Sequence, residues 1–312
     1  MTGNPLDSLT NLIIPPDDPE LTSRIVAMIR GLDRECADPL AQLDANLRDM
    51  VGHGVPAARV QWGAEDAGLS RRERAQELVY MAWDTDDPDE RRALAHAALE
   101  LDQNLPGAYV VLAECESDLP HRIDLYHYAL RLCEVELGAE NMTLWVGAFW
   151  GIPETRPYMR TRCGLAQTLW EAGEYQEAVA HYVELLRLDP NDHLGVRYWL
   201  VHAYLFLQEN DALSELFAAY PDEIVPEWLY SKALLAWRVG HVAQANEMLT
   251  LALGVNAFVP DYLLLKRRLP KVMPIHLTFG GKDEAMSYEE MFGDLWRQTP
   301  GAVEWLEARV ES

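Results

Sequence analysis

Residues 165–190 read LAQTLWEAGEYQEAVAHYVELLRLDP, two amphipathic stretches that are separated by a glycine. Small or aliphatic side chains at two points of this stretch recur further along the chain. The two columns are Ala166, Leu200 and Ala233, and Ala178, Ala212 and Ala245. In both columns the step is 34 residues and then 33. A period of this length is typical of stacked helix–turn–helix units, so the spacing predicts an all-α chain of helical hairpins.

The unit that contains this stretch, residues 159–192, is close to the tetratricopeptide pattern. Residues 193–225 and 226–258 are its diverged successors, and an earlier unit spans residues 72–105. We therefore expect a tetratricopeptide-type, right-handed superhelix. In units of this type the first helix of each pair lines a concave groove.

The chain outside these units divides into three segments. Residues 1–70 are expected to form an arm and extra N-terminal helices, residues 71–260 the repeats, and residues 261–312 a loop with C-terminal capping helices. A serine with a glutamate three residues later marks the start of a helix at Ser70 and again at Ser287. We expect one continuous solenoid.

The composition limits the partners that the chain can have. Of its 312 residues 50 are acidic and 26 are basic, and the formal net charge is −24. A field of this sign disfavours nucleic acid and anionic membranes and favours a basic partner, although the carboxylates can also serve only to solvate the outer helix faces. The sequence contains no apolar run of membrane-spanning length, and from its first residues we expect no secretory signal. We expect a cytoplasmic protein that binds a protein or peptide, and a homo-oligomer is compatible with the sequence.

Motifs that would indicate catalysis or metal binding are missing from the sequence. There is no HExxH, GxSxG or GxGxxG pattern, and none of the nine histidines lies four residues from another His or Cys. The four cysteines form no CxxC pair, which is typical of reduced thiols packed in helices. We therefore expect no enzymatic activity, no metal ion and no cofactor.

A candidate partner-binding groove follows from stacking the three aligned units. One position of the first helix is aromatic in each unit, and arginines map to the same side. The residues are Arg160, Trp170, Arg197, Tyr204, Trp237 and Arg238. Arginine binds carboxylates in a bidentate manner and aromatic rings supply rigid contact area, so this set is suited to holding a peptide. The alternative is that the rings form the core between repeats and that the arginines pair with nearby glutamates.

An aromatic-rich insertion, residues 141–158, does not fit the repeat. Trp145, Trp150 and Arg156 are candidates for a ligand pocket in this insertion. The alternative, which we favour for Arg156, is an ion pair with Glu154 or with a turn carboxylate that ties the insertion to the solenoid.

Several short segments of the sequence match a particular protein group, and this match is more specific than the general tetratricopeptide pattern. They are Trp150-Gly151 with Glu154–Arg160, Pro190–Asp192 with Arg197-Tyr198, Asn256–Leu264, and Ala108–Glu114. Over most of residues 70–310 the chain is similar to a bacterial group of tetratricopeptide proteins, which resembles the suppression-of-tumorigenicity-seven-like proteins of animals. The resemblance implies a helical-repeat fold and no enzymatic activity. Some bacterial relatives carry a cysteine-rich zinc segment, which this sequence does not contain.

Three functions are consistent with these features. The leading hypothesis is a non-catalytic scaffold or adaptor that holds a peptide or a partner protein in the concave groove. The second is an acidic inhibitor or antitoxin-like protein that neutralises a basic partner. The third is a small-molecule sensor or an enzyme that uses the aromatic insertion.

Overall fold

The computed structural model describes residues 68–311, so the arm and helices expected before residue 68 lie outside the described residues. Within that range the chain forms thirteen α-helices and no β-strand, which confirms the all-α prediction for this part. The helices are α1 (Arg71–Asp84), α2 (Pro88–Leu101), α3 (Pro106–Glu114), α4 (Leu119–Leu144), α5 (Arg156–Ala172), α6 (Tyr175–Leu188), α7 (Val196–Leu207), α8 (Asn210–Ala219), α9 (Pro226–Arg238), α10 (Val242–Val255), α11 (Val259–Leu263), α12 (Lys282–Gln298) and α13 (Ala302–Val310). Two short 3-10 turns, Phe149–Gly151 and Pro153–Thr155, separate α4 from α5.

The chain divides into two compact units, Met1–Leu101 and Asp102–Ser312. In the described part of the first unit, α1 and α2 pack against each other. Ser70 caps the start of α1: its hydroxyl accepts a hydrogen bond from the Glu73 N–H at 3.2 Å, and the Glu73 carboxylate accepts one from the Ser70 N–H at 2.7 Å. This capping box confirms the predicted start of the helix.

The second unit is built from consecutive helix pairs. α3 packs on α4, α5 on α6, α7 on α8, and α9 on α10. From α5 onward the helices of a pair are joined by only two or three residues, which makes them antiparallel neighbours. Between pairs, α4 packs on α5, α6 on α7, and α7 on α9.

The first helices of the last three pairs, α5, α7 and α9, end in the same hydrogen-bonded motif. In each case an N–H just beyond the helix donates to the carbonyl oxygen five positions earlier, from Glu174 to Leu169, from Glu209 to Tyr204, and from His241 to Ala236. The residue before each donor has a left-handed backbone; these residues are Gly173, Gln208 and Gly240, with φ angles of 86°, 60° and 81°. This is the Schellman motif, which supplies donors to the last carbonyls of a helix. The turn between the two helices of a pair therefore recurs along the chain at nearly the same interval as the two residue columns.

The periodic columns lie at contacts between helices. Ala166, Leu200 and Ala233 are all buried. In the second column Ala178 and Ala245 are fully buried, while Ala212 is half-buried. Five of the six positions are alanine, and the small side chain allows the helices to approach closely, which explains the pattern physically.

The C-terminal segment packs back on the first helices of the pairs. α12 packs on α7 and α9, and α13 packs on α9, α11 and α12. The prediction that Ser287 starts a helix is wrong, because Ser287 lies inside α12. The helix begins earlier, at Lys282, and no side chain caps its start. Two carboxylates in its first turn hold the preceding loop: Asp283 accepts a hydrogen bond from the Thr278 N–H at 2.6 Å, and Glu284 accepts one from the Gly280 N–H at 2.8 Å. These bonds give hydrogen-bond partners to two backbone N–H groups of the loop that precedes α12.

Candidate protein-interaction surface

A buried threonine fixes the aromatic insertion against the start of α5. The Thr155 hydroxyl lies within hydrogen-bond distance of the carbonyl oxygens of Phe149 and Ile152. The Phe149 ring packs on Tyr158 of α5 with ring centroids 5.9 Å apart, and both Thr155 and Phe149 are fully buried. The insertion is therefore anchored to α5 immediately beside Trp150, which is half-buried.

Three side chains surround the indole of Trp150. The guanidinium carbons of Arg156 and Arg160 lie 5.5 Å and 5.8 Å from the ring centroid, and the His193 ring stacks on the indole at 5.6 Å with 9° between the planes. The Arg156 Nε also donates to the Trp150 carbonyl oxygen at 3.0 Å. Within the described residues, Arg156 thus ties the insertion to α5 through a carbonyl oxygen and a ring rather than through a carboxylate. We call Trp150, Arg156, Arg160 and His193 the Trp150 cluster.

Trp145 lies apart from this cluster. It follows the last residue of α4, where its N–H donates to the Asn141 carbonyl oxygen at 3.0 Å. Its side chain is half-buried, and within residues 68–311 no ring contact joins it to Trp150. The structure therefore brings Trp150 and Arg156 of the predicted pocket together with Arg160, which was predicted to lie in the groove.

A second aromatic group lies on α5, α6 and α7. The Trp170 ring packs against Tyr175, His202 and Phe206, with centroid distances of 4.7, 5.3 and 5.4 Å. Burial lowers the pKa of His202 to about 4, so its imidazole is neutral at pH 7 and packs as an aromatic ring. Phe206 is 40% exposed and Trp170 is half-buried. We call these four residues the Trp170 cluster.

Of this cluster, only Trp170 was predicted from the sequence, and the other three members were missed. The signal that was available is the spacing of His202 and Phe206, which are four residues apart on α7 and therefore lie on one face of that helix.

Arg197, a predicted groove residue, is bound by residues of its own chain. Its Nη2 lies 2.9 Å from a carboxylate oxygen of Glu223, and its Nε lies 3.8 Å from the buried Asp192. Its guanidinium carbon lies 5.0 Å from the ring centroids of both Tyr198 and Tyr220. Arg197 therefore joins the start of α7 to the segment that leads into α9.

The other three predicted groove residues are covered or bonded within the chain. Tyr204 is buried. Trp237 stacks on Trp305 of α13, with ring centroids 4.8 Å apart and 8° between the planes. Arg238 donates to a carbonyl oxygen at the end of α7 at 2.8 Å and to the Thr299 hydroxyl at 3.3 Å. The C-terminal segment thus occupies the α9 end of the predicted groove.

Helix α12 covers α7 and α9 with three fully buried aromatic side chains, Tyr288, Phe292 and Trp296. The Tyr288 hydroxyl accepts a hydrogen bond from the Trp296 Nε1 at 2.9 Å and lies 3.4 Å from the Ser231 hydroxyl of α9. The Phe292 ring meets His202 of α7 at 5.7 Å. The sequence signal for this contact is the spacing of four residues between the three aromatics, which puts them on one helix face.

The loop between α11 and α12 is an exposed segment that was not predicted to be distinctive. Val272, Ile275 and Phe279 are 82%, 91% and 73% exposed. Residues 262–282 contain five Lys or Arg and no Asp or Glu, although the whole chain carries a formal charge of −24. In the sequence, this loop can be recognised because it is a stretch of 21 residues without an Asp or Glu.

Burial holds several groups of the second unit in their uncharged forms. It raises the pKa of the Cys133 thiol to about 12 and that of Cys163 to about 11, and it lowers the pKa of His181 to about 3. In the described part of the chain no group of three or more His, Cys, Asp or Glu side chains is placed to hold a metal ion. None of the described helices combines the length and the apolar character that crossing a bilayer requires.

Comparison with known proteins finds similarity to proteins named for suppression of tumorigenicity 7. The chain is 26% identical over 267 residues to "Protein ST7 homolog" of Drosophila melanogaster, and the match covers 77% of this chain and 49% of the fly protein. It is 27% identical over 260 residues to "Suppressor of tumorigenicity 7 protein-like" of Rattus norvegicus, and 26% identical over 260 residues to the protein of that name in Homo sapiens. These two matches cover 75% of this chain and 46% and 45% of the relatives. No family model matches the chain.

These matches support the similarity to the suppressor-of-tumorigenicity-7 proteins that the sequence phrases indicated. The chain spans about half the length of the curated relatives it matches. The names of these relatives state no activity, substrate or partner.

Proposed function

We propose that this chain is a non-catalytic protein-interaction module that binds a peptide or a helix of a partner protein on the exposed part of α5 and α7. The observation that carries the proposal is the Trp170 cluster, an aromatic surface shared by two consecutive helix pairs and ending in the 40%-exposed ring of Phe206. Trp and Tyr dominate the binding energy of protein interfaces because they bury a large area at little conformational cost.

The same proposal includes the finer fold class, a tetratricopeptide-type right-handed superhelix. Its support is the succession of antiparallel pairs from α5 to α10 and the Schellman motif that ends the first helix of each. A solenoid of this kind offers a continuous row of first helices to a partner.

The proposed surface is smaller than the set of residues that the sequence indicated. Arg160 is exposed and Trp170 is half-buried, so both are accessible to a partner. Arg197 is held by Glu223, and Arg238 is bonded to Thr299, so these two arginines serve the fold in the proposal. The partner is expected to bind at the α5 and α7 end, away from α13.

A non-catalytic role is favoured by the state of the buried groups. The thiols of Cys133 and Cys163, whose pKa values burial raises, are protonated at pH 7 and therefore poor nucleophiles. The imidazole of His202, whose pKa burial lowers, is neutral and enclosed by rings, where it supports packing.

The second candidate function is an acidic inhibitor of a basic partner, and the formal charge of −24 is the observation that favours it. The two candidates differ in their response to salt. A complex held by long-range charge attraction weakens steeply as the ionic strength rises, whereas a complex anchored by aromatic rings does not.

Affinity capture from a lysate of the source organism, read by mass spectrometry, tests the proposal. The baits are the wild-type chain, Phe206→Ser in the Trp170 cluster, and Leu251→Ser on α10, a matched control in which a 51%-exposed apolar residue is removed elsewhere. Circular dichroism verifies that all three baits are folded. We expect a partner that the wild type and Leu251→Ser retain at 50 mM and 500 mM NaCl and that Phe206→Ser loses.

Two results would contradict the proposal. Equal recovery of the same proteins by all three baits would show that the Trp170 cluster takes no part in binding. Recovery that disappears at 500 mM NaCl, irrespective of the variant, would favour the acidic inhibitor instead.

A further inference from the structure

The arginines of the Trp150 cluster differ from seven other arginines of the described chain, which are paired with a carboxylate. Ion pairs of 2.6 to 3.2 Å hold the arginines at positions 92, 122, 131, 187, 197, 267 and 297. Arg156 and Arg160 have no Asp or Glu within ion-pair distance in residues 68–311. Among the described residues, two guanidinium groups therefore lie beside one indole with no carboxylate at ion-pair distance.

The carboxylate beside His193 is already engaged. Asp189 accepts hydrogen bonds from the N–H of His193 at 2.9 Å, and its Oδ2 lies 2.9 Å from the His193 Nδ1. The Asp189 side chain is only 4% exposed. These hydrogen bonds position the His193 ring, which stacks on Trp150, and within the described residues Asp189 forms no ion pair with Arg156 or Arg160.

The start of α5 adds to the positive potential at this place. Arg156 is the first residue of this 17-residue helix, and Arg160 lies one turn further on. The first N–H groups of a helix carry partial positive charge. The helix end alone is a weak feature, but here it coincides with two guanidinium groups that have no carboxylate partner among the described residues and with the half-buried ring of Trp150.

We propose that the Trp150 cluster is a binding site for an oxyanion, a carboxylate or a phosphate, attached to an apolar or aromatic group. Arg160, which is exposed, and the Nη atoms of Arg156 bind the oxyanion, since guanidinium forks match the geometry of both groups. The attached group packs on the part of the half-buried Trp150 indole that His193 leaves uncovered. The site contains no residue of the Trp170 cluster, although Arg160 also belongs to the surface proposed for a partner protein. The proposal stands whether or not the Trp170 cluster binds a protein.

Isothermal titration calorimetry at low ionic strength with three probes tests the site: inorganic phosphate, phenyl phosphate and benzoate. The proteins are the full-length wild type, Arg160→Gln, and Arg187→Gln as a matched control, because Arg187 is an exposed arginine that is paired with Glu184 on α6. Arg160 is exposed and makes no hydrogen bond within the described chain, so its replacement preserves folding, as circular dichroism can verify.

We expect at least one aromatic probe to bind the wild type more tightly than inorganic phosphate, because it also contacts the indole. Arg160→Gln is expected to weaken that binding about tenfold or more, whereas Arg187→Gln leaves it unchanged within about twofold. The comparison of phenyl phosphate with benzoate identifies which oxyanion the site prefers. The proposal is overturned if no probe binds the wild type, or if Arg160→Gln binds the probes as well as Arg187→Gln does.

Discussion

Glu227 shows how strongly burial acts on a single side chain in this molecule. It lies in the first turn of α9, where the helix dipole favours a charged carboxylate. Burial, followed by the negative charges of Glu284 on α12 and Glu223 before α9, has the opposite effect and raises the pKa of Glu227 to about 7. Desolvation therefore outweighs the dipole at this position.

Glu227→Gln is expected to stabilise the protein at pH 8 by about 1–3 kcal/mol and by much less at pH 5. The unfolded side chain has a pKa near 4.5, so between pH 4.5 and pH 7 the folded state binds more protons and the wild type loses stability as the pH rises. Above pH 7 the buried charge remains as a penalty, which the neutral amide removes. Urea unfolding followed by circular dichroism at both pH values measures the difference.

The control for this prediction is Glu290→Gln, which changes an exposed glutamate on α12. It should alter the free energy of unfolding by no more than about 0.5 kcal/mol at either pH. A gain from Glu227→Gln that is equal at pH 5 and pH 8 would mean that its carboxylate is not protonated in the folded state.

How well each arginine could be predicted depends on how far along the chain its partner lies. The contact of Arg156 with Trp150 is local, and the sequence indicated that Arg156 ties the insertion to the fold, although with a carboxylate as its partner. Arg238 contacts Thr299, which lies 61 residues further on in the segment that returns over α9. No local pattern encodes that return path, because the path depends on which apolar helix faces are still exposed after the helix pairs have stacked.

At the scale of the elements, the turn between α7 and α8 departs from its counterparts. The other two Schellman motifs place glycine in the left-handed position, Gly173 and Gly240, whereas this one places Gln208 there with φ = 60°. The left-handed region costs a residue with a Cβ atom roughly 1–2 kcal/mol, a cost that glycine avoids. The motif is retained because its hydrogen bonds close the hairpin.

Gln208→Gly is therefore expected to increase the free energy of unfolding by about 0.5–1 kcal/mol, the relief of strain being partly offset by the greater entropy of glycine in the unfolded chain. The reciprocal change, Gly173→Gln, is expected to decrease it by about 1 kcal/mol. Urea unfolding at constant pH measures both. If Gln208→Gly destabilised the protein, the entropy of the unfolded chain would outweigh the left-handed strain at this turn.

The helix pairs were easier to predict than the C-terminal helices, for a physical reason. The period of 34 and 33 residues comes from similar contacts made repeatedly, so Ala166 and Ala233 carry the same signal and are both buried. α12 makes its contacts once, and Asp283 and Glu284 in its first turn accept hydrogen bonds from N–H groups of the preceding loop. Ser287 and Glu290 have the residue types and the spacing of a capping box, but both lie inside the helix.

For the whole molecule, the dominant feature is the excess of negative charge, 50 acidic against 26 basic residues. Many described arginines are engaged by carboxylates at the surface, and such exposed pairs contribute little stability individually. The remaining carboxylates repel one another, and this self-repulsion destabilises the compact state. Long-range repulsion is screened by salt, whereas packing in the core is not.

Raising the NaCl concentration from 20 mM to 500 mM at pH 7.5 is expected to increase the free energy of unfolding by about 1–2 kcal/mol, because the screening length falls well below the spacing of many surface charges. The matched control is the same pair of salt concentrations near pH 5, close to the isoelectric point of about 4.6, where the net charge is small and the gain should largely disappear. Urea unfolding measures all four conditions. An equal gain at both pH values would mean that salt acts through apolar burial instead, and a loss at pH 7.5 would mean that favourable ion pairs outweigh the repulsion of the excess carboxylates.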